Sequence, residues 1–360
     1  MIVFIYGTTA EAIKLAPIAR RLDERGIPYE HWLTQQHTDA LRRTLPNLGF
    51  REPDRIIANG RRGAPLKSIP DALIWLAAVT RWLMRNGRKT RRSIPDHTVV
   101  LVHGDTMTSV VGTVIAKRIG ADSAHVEAGL RSGNWRHPFP EELDRRMVGA
   151  MATIHYAPSE DAVQNLEGRK NVVYTHGNTI VDAVLDREPT PRPAEEKYGV
   201  VLLHRFELFN NRSLMEETIR ALVEHSPILL KFVVDAYARA GTLAALEKTG
   251  ATNFQVVSKV RHEEFIDLLR DADFVVSDSG GVQEETALLG IPTIIHRVAT
   301  ERSEGLGKNV VLSGWKTSLL VDFLASYQSH RRPTSPPAKS PSDVIVEDLI
   351  ARGYAEQVAH

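Results

Sequence analysis

Cysteine is missing from all 360 residues, which excludes disulfides, a thiolate nucleophile and cysteine-bound zinc and fits a reducing compartment. An excess of one charge is also missing. The 45 Lys and Arg stand against 44 Asp and Glu, a net +1, so no global field draws the chain to nucleic acid or an anionic membrane, and an acidic ligand has to be met by local groups. No apolar run is long enough to span a bilayer. Met-Ile-Val-Phe-Ile-Tyr runs into Gly7 without a basic region or a small-residue cleavage site, so it reads as a first strand and not as a signal peptide. A cytoplasmic protein is expected, with neither nucleic acid nor membrane as partner. What is present is an ordinary globular composition, 42% hydrophobic and 25% charged, with length for about two domains at roughly 150 residues each.

Short β-branched runs alternate with amphipathic stretches along the whole chain, the pattern of βα units on a parallel sheet buried on both faces. Strands are expected at 2–6, 29–33, 98–102, 123–126, 154–156 and 172–174, then at 200–203, 228–234, 254–257, 274–277 and 293–295. A helix over 10–25 places Ile13, Ala16, Ala19 and Leu22 on one face, with Gly26 as its stop and Pro17 predicting a kink. A second helix is expected over 73–84, and the basic run Arg88, Lys89, Arg91, Arg92 after it reads as a solvated loop. Three prolines between 189 and 193 make 187–197 the clearest linker, and 331–341 is a second. The fold class is therefore α/β, with two Rossmann-like doubly wound domains. We expect the first over 1–170, joined by the tail 343–360, and the second over 171–340.

Three places carry polar text where a parallel sheet meets ligands, at the carboxyl ends of its strands. Gly7-Thr8-Thr9-Ala10-Glu11 turns the first strand into the first helix. It reads either as a plain turn or as a cradle offering backbone N–H groups and a positive helix end to a phosphate, with Lys14 one turn further in. His103-Gly104-Asp105-Thr106, His125-Val126-Glu127-Ala128-Gly129-Leu130-Arg131 and Pro140-Glu141-Glu142 gather carboxylates in one region, and crowded carboxylates shift one another's pKa as acid–base catalysis requires. Ser277-Asp278-Ser279-Gly280-Gly281 opens a helix with small residues that admit a diphosphate, and Glu285 lies one turn in, where it can accept hydrogen bonds from a ribose. His204-Arg205-Phe206-Glu207 ends the first strand of the second domain. His103, His125 and His204 lack metal-ligand spacing, so no metal site is expected.

Together these strings resemble the non-hydrolysing UDP-N-acetylglucosamine 2-epimerase family. The strings that carry the resemblance are 7–14, 103–106, 125–131, 140–142, Gly-Asn-Thr at 177–179, 278–285 and Thr-Glu-Arg at 300–302. The resemblance implies a glycosyltransferase B-type fold with the substrate in a central interdomain cleft. It also implies elimination of UDP across C1 and C2 to a 2-acetamidoglucal, followed by re-addition, with no metal or nicotinamide cofactor. Asp105, Glu127, Glu141 and His204 match the family's catalytic and phosphate-side positions, and Lys14 a lysine near the diphosphate. Ser279, Gly280, Gly281 and Glu285 match the UDP site, Phe265 the position beside uracil, and Arg205 is the nearest further cation. A homodimer is the family's usual state.

The departures are local. Thr9 and Ala10 stand where the family has Arg-Pro, Leu203 where it has glycine, and Phe209-Asn210-Asn211 replaces a glycine-rich stretch. Gln36-His37 matches half of a regulatory site for a second UDP-sugar, whereas Asp235, Tyr237 and Ala238 replace the other half. The family's Pro-Tyr-Gly-Asp-Gly near the C-terminus is not in the sequence. These changes keep open a UDP-sugar hydrolase or glycosyltransferase using the same cleft, or a nucleotide-sugar sensor without turnover.

Overall fold

The computed structural model describes residues 1–36, 38–59, 66, 69–132, 140–187, 197–235 and 238–356. The chain divides into two compact units, one of 1–186 with 337–360 and the other of 187–336. His37, Tyr237 and most of the proline-rich linker at 188–196 lie outside the described residues.

The first unit is built on seven parallel strands, β1 (Ile2–Tyr6), β2 (Tyr29–Leu33), β3 (Arg55–Ile56), β4 (Val99–His103), β5 (Asp122–Val126), β6 (Ile154–Ala157) and β7 (Val172–Tyr174), in the order β3-β2-β1-β4-β5-β6-β7. All five residues of β1 are buried, and they alternate between two cores. Ile2, Phe4 and Tyr6 pack with Leu15, Ile18 and Leu22 of the helix Thr9–Glu24, while Val3 and Ile5 pack with Trp75 and Val79 of the helix Ile69–Ser93 and Ile115 of the helix Met107–Ile119. Period-2 alternation thus sends one strand's apolar residues to both faces, which is why it reads as an unbroken hydrophobic run.

The second unit repeats the plan with six parallel strands, β8 (Tyr198–Leu202), β9 (Leu229–Val234), β10 (Phe254–Ser258), β11 (Phe274–Ser277), β12 (Thr293–Ile295) and β13 (Val310–Leu312), in the order β10-β9-β8-β11-β12-β13. In each sheet the strand order reverses once, between β1 and β4 and between β8 and β11. These are the switch points at which open α/β sheets leave room for a ligand.

Several expectations are corrected. The sheet boundary falls after Asp186 and not at 170, because β7 pairs with β6 and the helix Ile180–Leu185 packs on the helix Thr9–Glu24. At the other end, 337–342 also belongs to the first unit. There the helix Pro341–Ala351 buries Ile345, Val346 and Leu349 in the first core and the Asp182 carboxylate accepts the Ser342 N–H at 2.7 Å. Pro17 lies buried inside the helix Thr9–Glu24 and does not end it, so the expected bend there would be within a continuous helix. The basic run at 88–92 is not a loop: it forms the last turns of the helix Ile69–Ser93, exposed at Arg88, Lys89, Arg91 and Arg92, where cations also suit the helix C-terminal dipole.

Candidate active site

At the switch point of the first sheet the turn after β1 is closed by its own side chains. Thr8 caps the helix Thr9–Glu24, its hydroxyl accepting from the Glu11 N–H. The Glu11 carboxylate accepts from the N–H of Gly7 at 3.0 Å and of Thr8 at 2.9 Å, and from the Thr106 hydroxyl at 2.7 Å. Burial pushes the Glu11 carboxyl up against these hydrogen bonds, which hold it down, and burial prevails. The Gly7 and Thr8 amides are thus occupied by an internal carboxylate that ties the β1 and β4 loops together, which favours the plain-turn reading of this segment. Gly7 is required there by contact, since a Cβ would meet the Thr34 hydroxyl at 2.3 Å. Thr9 is half-buried and Ala10 exposed.

Glu127 follows β5 with a left-handed backbone, φ 68°, a conformation that costs a non-glycine residue energy and recurs at functional sites. Its side chain is 3% exposed. The Lys14 ammonium donates to its Oε2 at 2.5 Å, Asn178 donates to the same oxygen, and His103 Nε2 stands 3.7 Å away. The β4 loop runs alongside, its Gly104 N–H donating to the Val126 carbonyl at 2.9 Å, and the next residue, Asp105, is held by Arg145 at 2.5 Å. Arg145 also stands 3.9 Å from Glu142, a fully buried carboxylate. Glu141, first residue of the helix Glu141–Met151, has a buried Oε2 without a hydrogen-bond partner among the described residues. On the same helix Asp144 is pushed up to about 7 by burial and then by the negative charges of Asp105 and Glu141. His125 is fully buried, and its Nε2 lies 2.8 Å from the Gly104 carbonyl oxygen. Burial, only partly offset by that bond, lowers it to about 4, so the ring is neutral at pH 7 and Nε2–H donates to the carbonyl.

The second sheet's switch point is stapled by Asp278, 1% exposed. Its Oδ2 accepts the backbone N–H groups of His204 at 2.9 Å and Arg205 at 2.8 Å, and His204 Nδ1 lies 3.0 Å from Oδ1. Burial raises this carboxyl, but the bonds from His204 and Arg205 outweigh it and the net shift is downward. The Arg205 guanidinium donates to the Asp278 carbonyl at 3.0 Å. The helix Gly280–Leu289 starts here with Ser279 as its N-cap. It has no side-chain cap and no acidic residue in its first turn, unlike the self-capped helix of the first unit. Gly281 meets nothing closer than the Ser279 hydroxyl, 3.9 Å from the position of a Cβ. Such a terminus combines unfilled N–H groups with the positive dipole end. Arg297 adds a half-buried cation whose pKa is lowered first by desolvation, with Glu301 opposing and Arg205 reinforcing. Thr300-Glu301-Arg302 is tied to the helix by Arg302 on Glu284 at 2.5 Å and by Thr300 on Gln283 at 2.8 Å. Further along, Glu285 pairs with His262 at 2.7 Å, one turn before the buried Phe265 on the helix His262–Arg270.

The structure thus gathers Lys14, Asp105 and Glu127 in the first unit, with the helix of Glu141 joined through Arg145, and His204, Arg205, Ser279, Gly280 and Gly281 in the second. Phe265 and Glu285 are linked through His262. Asn178, Arg145, Asp144, His262 and Arg297 were not singled out by the sequence analysis. The string 177–179 and the Pro-Glu-Glu helix gave a local signal for the first three; His262 and Arg297 had none. Among the described residues no group of three His, Asp or Glu side chains is placed to hold a metal ion, and no helix is long and apolar enough to cross a membrane.

Two parallel sheets of this order, each with polar groups at its switch point, define a protein of the Rossmann-like, glycosyltransferase B-type fold class. The model of the UDP-N-acetylglucosamine 2-epimerase family matches residues 74–339. The UDP-N-acetylglucosamine 2-epimerase of Salmonella borreze is 31% identical over 326 residues, covering 84% of this chain and 83% of that one. The enzyme of Campylobacter jejuni is 29% identical over 335 residues, 86% and 84% of the two chains. The solved UDP-GlcNAc 2-epimerase of Neisseria meningitidis, bound to UDP-GlcNAc, superposes with a TM-score of 0.81 at 25% identity over 97% of this chain and 99% of that one. The chain belongs to the UDP-N-acetylglucosamine 2-epimerase family.

Proposed function

We propose that this chain epimerises a UDP-N-acetylhexosamine at C2, UDP-GlcNAc to UDP-ManNAc, by eliminating UDP and adding it back. The observation that carries the reading is the Glu127 cluster, a buried carboxylate set by a left-handed backbone and bonded by Lys14 and Asn178, with Asp105 on the adjoining β4 loop. The Neisseria relative bound to UDP-GlcNAc supports the substrate class. Glu127 is assigned the C2 proton. As that proton leaves, the C2–H electron pair becomes the C1–C2 double bond, and the C1–O bond breaks with its pair departing on UDP. Return of UDP to C1 and of a proton to the opposite face of C2 completes the exchange, with Asp105 and Glu141 as the remaining carboxylates for proton transfer. C2–H leaves as a proton and no step moves a hydride, so this cycle calls for no nicotinamide. UDP is assigned to the second unit, its diphosphate to Ser279, Gly280 and Gly281 with Arg205 and His204, its ribose to Glu285 and its base to Phe265.

The test is incubation with UDP-GlcNAc in deuterated water followed by NMR at C2 and at the anomeric carbon. Deuterium at C2 with UDP still attached is expected. A deuterated free sugar would instead mark a hydrolase, anomeric cleavage without deuterium a transferase, and no change in either signal a sensor. The cysteine-free sequence supports a cytoplasmic location. A homodimer is supported by exposed apolar side chains on three neighbouring helices of the first unit, among them Leu73, Ile74 and Leu76, then Val114, then Leu143 and Met147. Sedimentation velocity at micromolar protein checks it, and a monomer there would refute it.

A further inference from the structure

Glu285 is buried, its side chain 6% exposed, on a helix with no basic residue in its last turn to pair with it. Burying a carboxylate is tolerable when a donor meets it. The one described donor is His262 Nε2, 2.7 Å from Oε1, from the first position of the neighbouring helix. Because an ionised carboxylate only accepts, the imidazole is the donor, whether neutral with Nε2 protonated or as imidazolium. The bond fixes the carboxylate's rotamer and takes one lone pair of Oε1, so Oε2 and the remaining lone pair stay available to neighbouring hydroxyl groups. His262 is itself only 15% exposed. Its own cap residue, Arg261, turns outward to Glu264 at 2.5 Å, leaving the imidazole as the side chain that meets Glu285.

We infer that His262 is a positioning residue for nucleotide recognition, holding Glu285 oriented so that this carboxylate reads the ribose hydroxyls of a uridine diphosphate. The inference rests on the assignment of the ribose to Glu285. A pre-set acceptor discriminates more strongly than a mobile one, because a ligand lacking the matching hydroxyl leaves a buried carboxylate oxygen unpaired.

The test is calorimetric titration of the full chain with UDP, 2′-deoxy-UDP and 3′-deoxy-UDP, for the wild type, His262→Phe, His262→Gln and Glu285→Gln. Phenylalanine keeps the ring volume and removes the donor; glutamine returns an N–H near the place of Nε2. His262→Phe is expected to weaken UDP binding about tenfold or more and to narrow the ratio between UDP and the deoxy nucleotides, while His262→Gln recovers most of both. A structural role alone would lower thermal stability and leave the ratio intact. If Glu285→Gln loses the discrimination while His262→Phe retains it, the inference about His262 is overturned and the ribose assignment stands. If the wild type binds all three nucleotides alike and Glu285→Gln changes nothing, the ribose assignment itself fails and takes the inference with it.

Discussion

Replacing Glu127 by glutamine removes one proton-transfer group with little change of shape, and the structure gives both sizes needed to interpret the result. Loss of a general acid or base lowers turnover by roughly 10²- to 10⁴-fold, or about 3–5 kcal/mol of barrier at about 1.4 kcal/mol per tenfold. The fold is also affected. Lys14 and Glu127 are a buried pair, 12% and 3% exposed, and removing one partner of such a pair costs about 3–5 kcal/mol. The glutamine carbonyl still accepts from Lys14, which lowers the expected cost to roughly 1–3 kcal/mol. The double variant Lys14→Met, Glu127→Gln removes the stranded ammonium as well, so stability should recover while turnover stays low. UDP affinity should hardly change in Glu127→Gln, because the groups assigned to the nucleotide belong to the other unit. C2 deuterium exchange by NMR, UDP titration and thermal unfolding make the comparison. A folded Glu127→Gln protein exchanging at a rate within about threefold of wild type would refute the assignment of the C2 proton to this residue.

Asp278→Ala leaves the His204 and Arg205 amides without their acceptor, at roughly 1–3 kcal/mol each, so urea unfolding should show a clear loss of stability and calorimetry weaker UDP binding as the 203–205 loop is released. His296, bonded on both ring nitrogens to Thr218 and Ser313, is lowered by burial to about 4 from 6.5. Its stabilisation is present above pH 6.5 and is lost as pH falls toward 4, because the unfolded ring takes a proton the folded one refuses. The pH dependence of unfolding in His296→Asn should be flatter across that window. Asp144 has the opposite sign: its folded value, about 7, lies above the ordinary 3.8, so its stabilisation is present below 3.8 and is lost as pH rises through 7. Asp144→Asn should therefore gain on the wild type between pH 5 and pH 8 in denaturant titrations, and equal pH profiles would count against the crowding of Asp105, Glu141 and Asp144.

The parallel α/β plan is local information. β1, β2, β7, β11 and β12 fall at the expected positions; in β1, β11 and β12, buried at every residue, the signal is the largely apolar, β-branched run that a strand covered on both faces requires. β3 has two residues, too few for periodicity to register, and it exists because β2 supplies its partner; β13, Val310–Leu312, is no shorter than β7 or β12 and its Val-Val-Leu was passed over. The basic run at 88–92 was misread as a loop because charged residues suit a solvent-facing helix as well as a turn. The occupied turn after β1 was in fact readable, since Thr8-Thr9-Ala10-Glu11 is a capping-box pattern. Other features had no local trace. Glu127 stood out as a carboxylate at a strand end, but Lys14 and Asn178, 113 and 51 residues away in sequence, meet it only because strand order brings the β1 and β5 loops and the segment after β7 together. Likewise Asp278 reads as one more acid before a glycine pair until the pairing of β8 with β11 delivers two backbone amides to it. Residue types and their periodicity set which strands and helices form and which side chains are chemically able to act. Which carboxylate is clamped, which is left open and which helix N-terminus stays uncapped were decided by tertiary structure, because hydrogen bonds and charge interactions act over a few ångströms of space whatever the distance along the chain.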